Sequence, residues 1–251
     1  MPSLRGHMVF ISHFRDVLAG ALPELGRHVA DEWPAALLGS QGPDGWFFVE
    51  GAERPSTHML DKDDPRTWPG WFERWLEQHG AVRPGCQLPP VQASFFAGYL
   101  SHLGLDVWSE LYFEAELPPE MRRAASSAWY PAALPDAARV RAGLRQLGEV
   151  PFPRERIVDE AALRAAAALV PAAYNPDAIL RVAAGTLPAL ALDDPWESSR
   201  VSALREMPRT PEAREKWEAQ RAAQAPASEA EYAALLAAAS DFTLGLVRAW
   251  W

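Results

Sequence analysis

Apolar residues recur at helical spacing along most of the chain, and strict alternation never runs beyond four residues. The pattern predicts helices over residues 7–22, 24–32, 67–79, 90–115, 119–129, 135–148, 159–170, 176–187, 210–224 and 228–250. Many of them open on proline or a capping residue, as at Thr67, Pro118-Pro119-Glu120, Asn175-Pro176 and Ser228. The fold class that follows is all-α, a multi-helix bundle. Gly39 to Lys62 reads as a long loop rich in Gly, Pro and Asp, and a loop of that length inside a helical domain is often functional. Residues 205–227 are charged and rich in Ala, Gln and Pro, the pattern of a solvated helix or linker. A core at about 1–150 and a helical part at 151–251 are expected to pack as one continuous unit.

The most informative stretch lies inside the predicted helix 90–115. Its run from Ser94 to Trp108 is apolar enough to be buried, yet it places His102, Asp106 and Glu110 at i, i+4 and i+8. Four residues along a helix is ~6 Å of rise and only ~40° of rotation, so an imidazole and a carboxylate at that spacing can close on one ion or on two neighbouring ions. Burying a histidine and two acids among Phe, Leu and Trp is costly unless something neutralises them. A metal does so. The bland alternative is a hydrogen-bonded His102–Asp106 pair, with Glu110 facing solvent or pairing with Arg122 or Arg123.

Composition narrows the classes. The chain has 251 residues, enough for a full core, and a formal charge of −9, which disfavours a stable nucleic-acid complex. One cysteine, Cys86, excludes an internal disulfide and any multi-cysteine zinc site. It has no basic neighbour in sequence to activate a thiol. No signal-peptide pattern opens the sequence and no run of ~20 apolar residues stands out, so the expected location is cytoplasmic. The 11 tryptophans are expected as core anchors and cavity walls. Walker, dinucleotide-binding, nucleophile-elbow and di-iron signatures are missing.

Four short motifs occur in order: Met1-Pro2-x4-His7, Leu38-Gly39-Ser40-Gln41-Gly42-Pro43-Asp44, Thr57-His58-Met59 and Gly98-Tyr99-Leu100-Ser101-His102-Leu103-Gly104-Leu105-Asp106. Together they resemble the zinc-dependent phospholipase C family, whose all-helical fold is shared with the S1/P1 nucleases. The resemblance covers roughly the first 115 residues. It implies that Asp44, His58, His102 and Asp106 hold one zinc ion, that Asp106 also reaches a second, and that His7 binds that second ion. It further implies Asp44 as the general base for an attacking water. Members of the family complete a third metal site with a later histidine and a His-x3-Glu unit. No histidine follows His102 here, and Glu110 stands where a histidine is common. One or two ions are therefore expected, with Glu110 and His7 as outer ligands. Zinc suits the mixed His/Asp set, and manganese or iron is compatible with it.

His13 competes with His7 for the N-terminal role, but six residues is about 600° around a helix, so the two face different directions. Asp44 on its own would be a turn residue after Gly-Pro, and His58 a capping loop histidine. His28, four residues after Glu24, is expected to pair at the surface, and His79 to meet the dipole at a helix end. Tyr174, Trp196 and Trp250 are expected to complete the core or roof the pocket. The leading functional expectation is a metal-dependent phosphoester hydrolase acting on a small phosphoester or a phospholipid. The alternatives are a non-catalytic helical protein that keeps a structural ion, and a nuclease-like phosphodiesterase.

Overall fold

The structure is a computed structural model that describes residues 3–52, 57–58, 70–82, 84–113, 137–190 and 228–251. Nine α-helices are labelled within these residues: α1 (Leu4–Ala21), α2 (Pro23–Asp31), α3 (Trp33–Gly39), α4 (Trp71–Gln78), α5 (Pro90–Phe113), α6 (Ala137–Glu149), α7 (Glu160–Ala167), α8 (Pro176–Leu190) and α9 (Glu229–Trp250). Short 3-10 turns join several of them, including Pro43–Phe48 and Ala172–Tyr174. No strand occurs among the described residues, and the protein is all-α.

Local chemistry explains where the helices begin. The Ser3 hydroxyl accepts from the Gly6 N–H at the start of α1. Asp159 does the same for Ala162 at α7. Ser228 and Glu231 form a reciprocal capping box at α9. Asn175, in the left-handed region at φ 50°, turns the chain into α8 immediately before Pro176.

Helix α5 is the axis of the fold. Every residue from Ala93 to Ser109 is buried, which is why the segment is apolar all round rather than striped. Helices α1, α2, α3, α6 and α9 pack around it. A single apolar cluster takes in Phe10 and Phe14 of α1, Phe95 and Trp108 of α5, Ile179 of α8 and Val247 of α9, so it draws on both sides of residue 150. Polar ties reinforce the packing. The buried Arg5 guanidinium donates to the Gly148 and Val150 carbonyls, satisfying acceptors left open at the end of α6. Arg156 likewise reaches the Ser12 carbonyl and the Asp16 carboxylate.

Helix α9 is long and apolar enough to cross a membrane by length and composition, with a mean hydropathy of 1.3 over its best window. The run of apolar residues was not apparent from sequence, because Glu231, Asp241 and Arg248 interrupt it. In this fold α9 packs on α5 and α6, and 39% of that window is buried.

Two expectations need correction. The segment from Gly39 is not simply a loop: Gly39 is the last residue of α3, and Pro43–Phe48 forms a 3-10 turn. Seven residues are too short to show a helical period, and the irregular Glu32 (φ −109°, ψ 42°) separates α3 from α2. Of the two roles expected of Trp250, it completes the core and does not roof a pocket. Its ring is buried against Gly85 and its indole N–H donates to the Val82 carbonyl at 2.9 Å. The helices expected at 119–129 and 210–224, the linker reading of 205–227, and Arg122, Arg123 and Trp196 lie outside the described residues.

Candidate metal centre

Four segments bring the polar residues together. His7 is one turn into α1, its own N–H bonded to the Ser3 carbonyl. The Gln41 carboxamide donates to the Leu4 carbonyl at 3.1 Å, tying the start of α1 to the end of α3. Asp44 sits in the turn opened by Pro43, and its N–H reaches the Gln41 carbonyl at 3.2 Å. His58 follows Thr57, whose carbonyl accepts from the Tyr99 hydroxyl at 3.2 Å. His102 and Asp106 come from α5. All five residues are buried, none more than 4% exposed.

The geometry is convergent. Asp106 turns Oδ1 toward His7 Nε2 at 3.3 Å and Oδ2 toward His58 Nε2 at 3.5 Å and His102 Nε2 at 3.8 Å. His58 Nε2 also lies 3.7 Å from Asp44 Oδ1. The His7 and His102 rings are stacked, with centroids 3.6 Å apart. Two triads result, His7–His102–Asp106 and Asp44–His58–His102, and in each the ligand atoms lie within 4.8 Å of one another. These buried groups could hold a metal ion.

The protonation states suit that use. His102 Nδ1 lies 2.7 Å from the Ser40 carbonyl, which can only accept, so Nδ1 carries the proton and Nε2 offers its lone pair. Burial, then the neighbouring His7 and His58, hold the His102 imidazole well below the usual histidine range, against the opposing pull of Asp106. Burial alone would raise the Asp106 carboxyl. The hydrogen bond from His7 and the field of the three imidazoles outweigh it, and Asp106 is held well below the usual carboxylate range. A neutral imidazole and an ionised carboxylate are the forms that bind metals. His102 Nε2 and His7 Nδ1 are buried nitrogens with no hydrogen-bond partner among the described residues. Such orphans cost on the order of 1–3 kcal/mol each. An ion at His102 Nε2 would remove that cost, and in this respect the donor set fits a metal.

No family model, no curated protein and no solved structure matches this chain. The reading of the site therefore rests on its own geometry.

Of the residues expected at the site, the structure brings together His7, Asp44, His58, His102 and Asp106. It separates His13, which is half-buried and lies under the influence of Asp16 and Arg156. Glu110 is on the backbone of α5, and its side chain lies outside the described residues. His28 is not a surface partner of Glu24; it lies edge-on to Trp251, centroids 6.2 Å apart. His79 does close α4, but it serves the helix end as no charge. Burial lowers its pKa to about 4, and Nδ1 lies 2.8 Å from the Tyr174 hydroxyl.

Three contributors escaped the sequence. Ser40 orients His102 through its main-chain carbonyl, which has no residue signature. The Thr57 hydroxyl sits 2.9 Å from His58 Nδ1, and Tyr99 anchors Thr57. The only available signal was general: a ligating histidine needs a partner on its other nitrogen.

Proposed function

We propose that this protein is a metal-dependent phosphoester hydrolase, with zinc as the ion best suited to its donors. The observation that carries the reading is the convergence of three imidazoles and two carboxylates, from four separate segments, in a buried cluster around Asp106. A set of this composition is typical of sites that bind zinc. A divalent ion there supplies acidified water and electrostatic stabilisation of a phosphoryl group.

The chain's own residues then have distinct tasks. Asp44, His58, His102 and Asp106 Oδ2 form one ligand group. Asp106 Oδ1 and His7 face each other and would offer a second position, so the chain would hold one to two ions. Because His102 Nδ1 is committed to Ser40, its single remaining lone pair serves one ion only. Asp44, at the edge of the cluster on a short turn, accepts the proton of the attacking water at a carboxylate oxygen. The buried setting excludes bulk solvent and strengthens each of these interactions.

Turnover of bis(p-nitrophenyl) phosphate by the full-length zinc-loaded protein tests the reading. Hydrolysis should appear with zinc, fall by at least tenfold in Asp44→Asn, and be lost in His102→Ala. A protein that binds zinc stoichiometrically but turns over neither this nor other activated phosphodiesters would instead hold its ion for structure.

A further inference from the structure

A cavity of about 310 Å³ is built from the immediate neighbours of the metal-site residues. Gly42 and Gly45 flank Asp44, Thr57 precedes His58, and Tyr99 lies one turn before His102 on α5. Trp46, Gln78, His79, Tyr174 and Asn175 supply most of the remaining polar and aromatic wall. The cavity and the metal cluster thus share three segments of chain.

Its lining has a definite chemistry. No Lys, Arg, Asp or Glu is among the described residues that form it. Its one titratable imidazole, His79, is neutral at pH 7, since burial lowers its pKa to about 4. His79 stacks between Trp75 and Tyr174, with centroids 4.6 and 5.3 Å away. The Trp46 indole N–H is buried with no hydrogen-bond partner among the described residues. The carboxamides of Gln78 and Asn175 each present both donors and acceptors, and the Tyr99 hydroxyl, which donates to the Thr57 carbonyl, can still accept. Among the described lining residues a cationic substituent would find no carboxylate and an anionic one no guanidinium or ammonium, so either would lose hydration without charge compensation from them. An uncharged ring with a hydrogen-bonding edge loses nothing of the kind. The aromatic side chains of the wall suit its plane, and the carboxamides and the Tyr99 hydroxyl suit its edge.

We infer that this cavity is a subsite for an uncharged polar ring, a nucleobase or a sugar, carried by the substrate. The inference rests on the phosphoester reading for what the ring is attached to, but the ring's binding can be measured without turnover.

The test is isothermal titration calorimetry of the full-length zinc-loaded protein with adenosine, methyl β-glucoside and choline as separate probes. One of the two uncharged rings should bind at least tenfold more tightly than choline, and which one does so identifies the source of the ring. Ala173→Trp, at an exposed position on the cavity wall, should weaken that binding at least tenfold with zinc content unchanged. Gln78→Ala, also exposed and a milder change, should weaken it severalfold. Choline binding as tightly as either ring, no binding by either ring, or ring binding indifferent to both variants would overturn the proposal. Ring binding without phosphodiester turnover leaves the subsite standing and removes the hydrolase reading. Turnover without ring binding removes the subsite alone.

Discussion

The imidazoles of His7 and His102 lie face to face, 3° from parallel with centroids 3.6 Å apart, although they belong to the first helix and the central one. Two protonated rings at that distance would repel strongly, and the pair is stable with His102 neutral. The stack also places both residues beside Asp106, while only His102 belongs to both ligand triads. Because the one free lone pair of His102 serves the ion that Asp44 and His58 also face, replacing His102 should strip that position and replacing His7 the other. In chelator competition, His102→Ala should lose zinc affinity by more than about 100-fold, beyond what disturbing a supporting contact costs. His7→Ala should lower the stoichiometry or weaken only the less tightly held ion. Equal effects of the two variants would contradict this division of the ligands.

Gly98 and Gly39 allow α3 to approach α5 closely. A Cβ at Gly98 would overlap the Ala36 carbonyl oxygen and lie 2.9 Å from Ser40 N. The neighbours are backbone and cannot swing away. Gly98→Ala should cost about 1–3 kcal/mol in chemical denaturation, as overpacking does. It should also weaken zinc binding, because it displaces the Ser40 carbonyl from His102. A variant with unchanged stability and metal affinity would show that this contact does not set the site.

Those two glycines show how much of the molecule could be read beforehand. The order Leu38-Gly-Ser-Gln, then Gly98-Tyr-Leu-Ser-His102, was visible in the sequence, and the helical pattern found α1, α2, α5 and α9 within a few residues. His102 and Asp106 stood out because polar residues are rare in so apolar a run. The reason for the glycines was hidden, since close approach of two backbones has no periodicity. Ser40 acts through a carbonyl that every residue possesses. Tyr99 is only one letter of the Gly98–Asp106 motif and His79 reads as a helix-end residue; the fold shows that they line one cavity beside the metal ligands.

The bond between the Thr57 hydroxyl and His58 Nδ1 keeps the Nε2 side of that ring toward Asp44 and Asp106. Thr57→Val preserves shape and removes the bond. Zinc affinity should fall by about 10- to 100-fold, as is usual when the partner of a ligating histidine is lost. Thr57→Ser, which keeps the hydroxyl, should restore most of it.

Acid should weaken the metal-free protein in a particular range. The His79 pKa falls from 6.5 to about 4 on folding, and that of His102 is also lowered. Unfolded histidines bind protons more readily than these do, so both contributions are complete above about pH 6.5 and are lost as the pH drops below it. For His79 the loss is complete near pH 4. Asp106 acts at lower pH: its contribution is full above the ordinary carboxylate range and is lost progressively as the pH falls through and below that range. Melting temperature should fall steadily from pH 6.5 to 4, and His79→Phe should flatten part of that slope. A flat profile in the wild type would show that neither imidazole is held neutral by the fold.

Elemental analysis of the full-length protein, reconstituted with zinc and then freed of loosely held ions, tests the central claim most directly. One to two equivalents of zinc should remain per chain, falling by about one equivalent in His102→Ala and unchanged in His28→Ala. No stoichiometric transition metal in the wild-type protein would contradict the account.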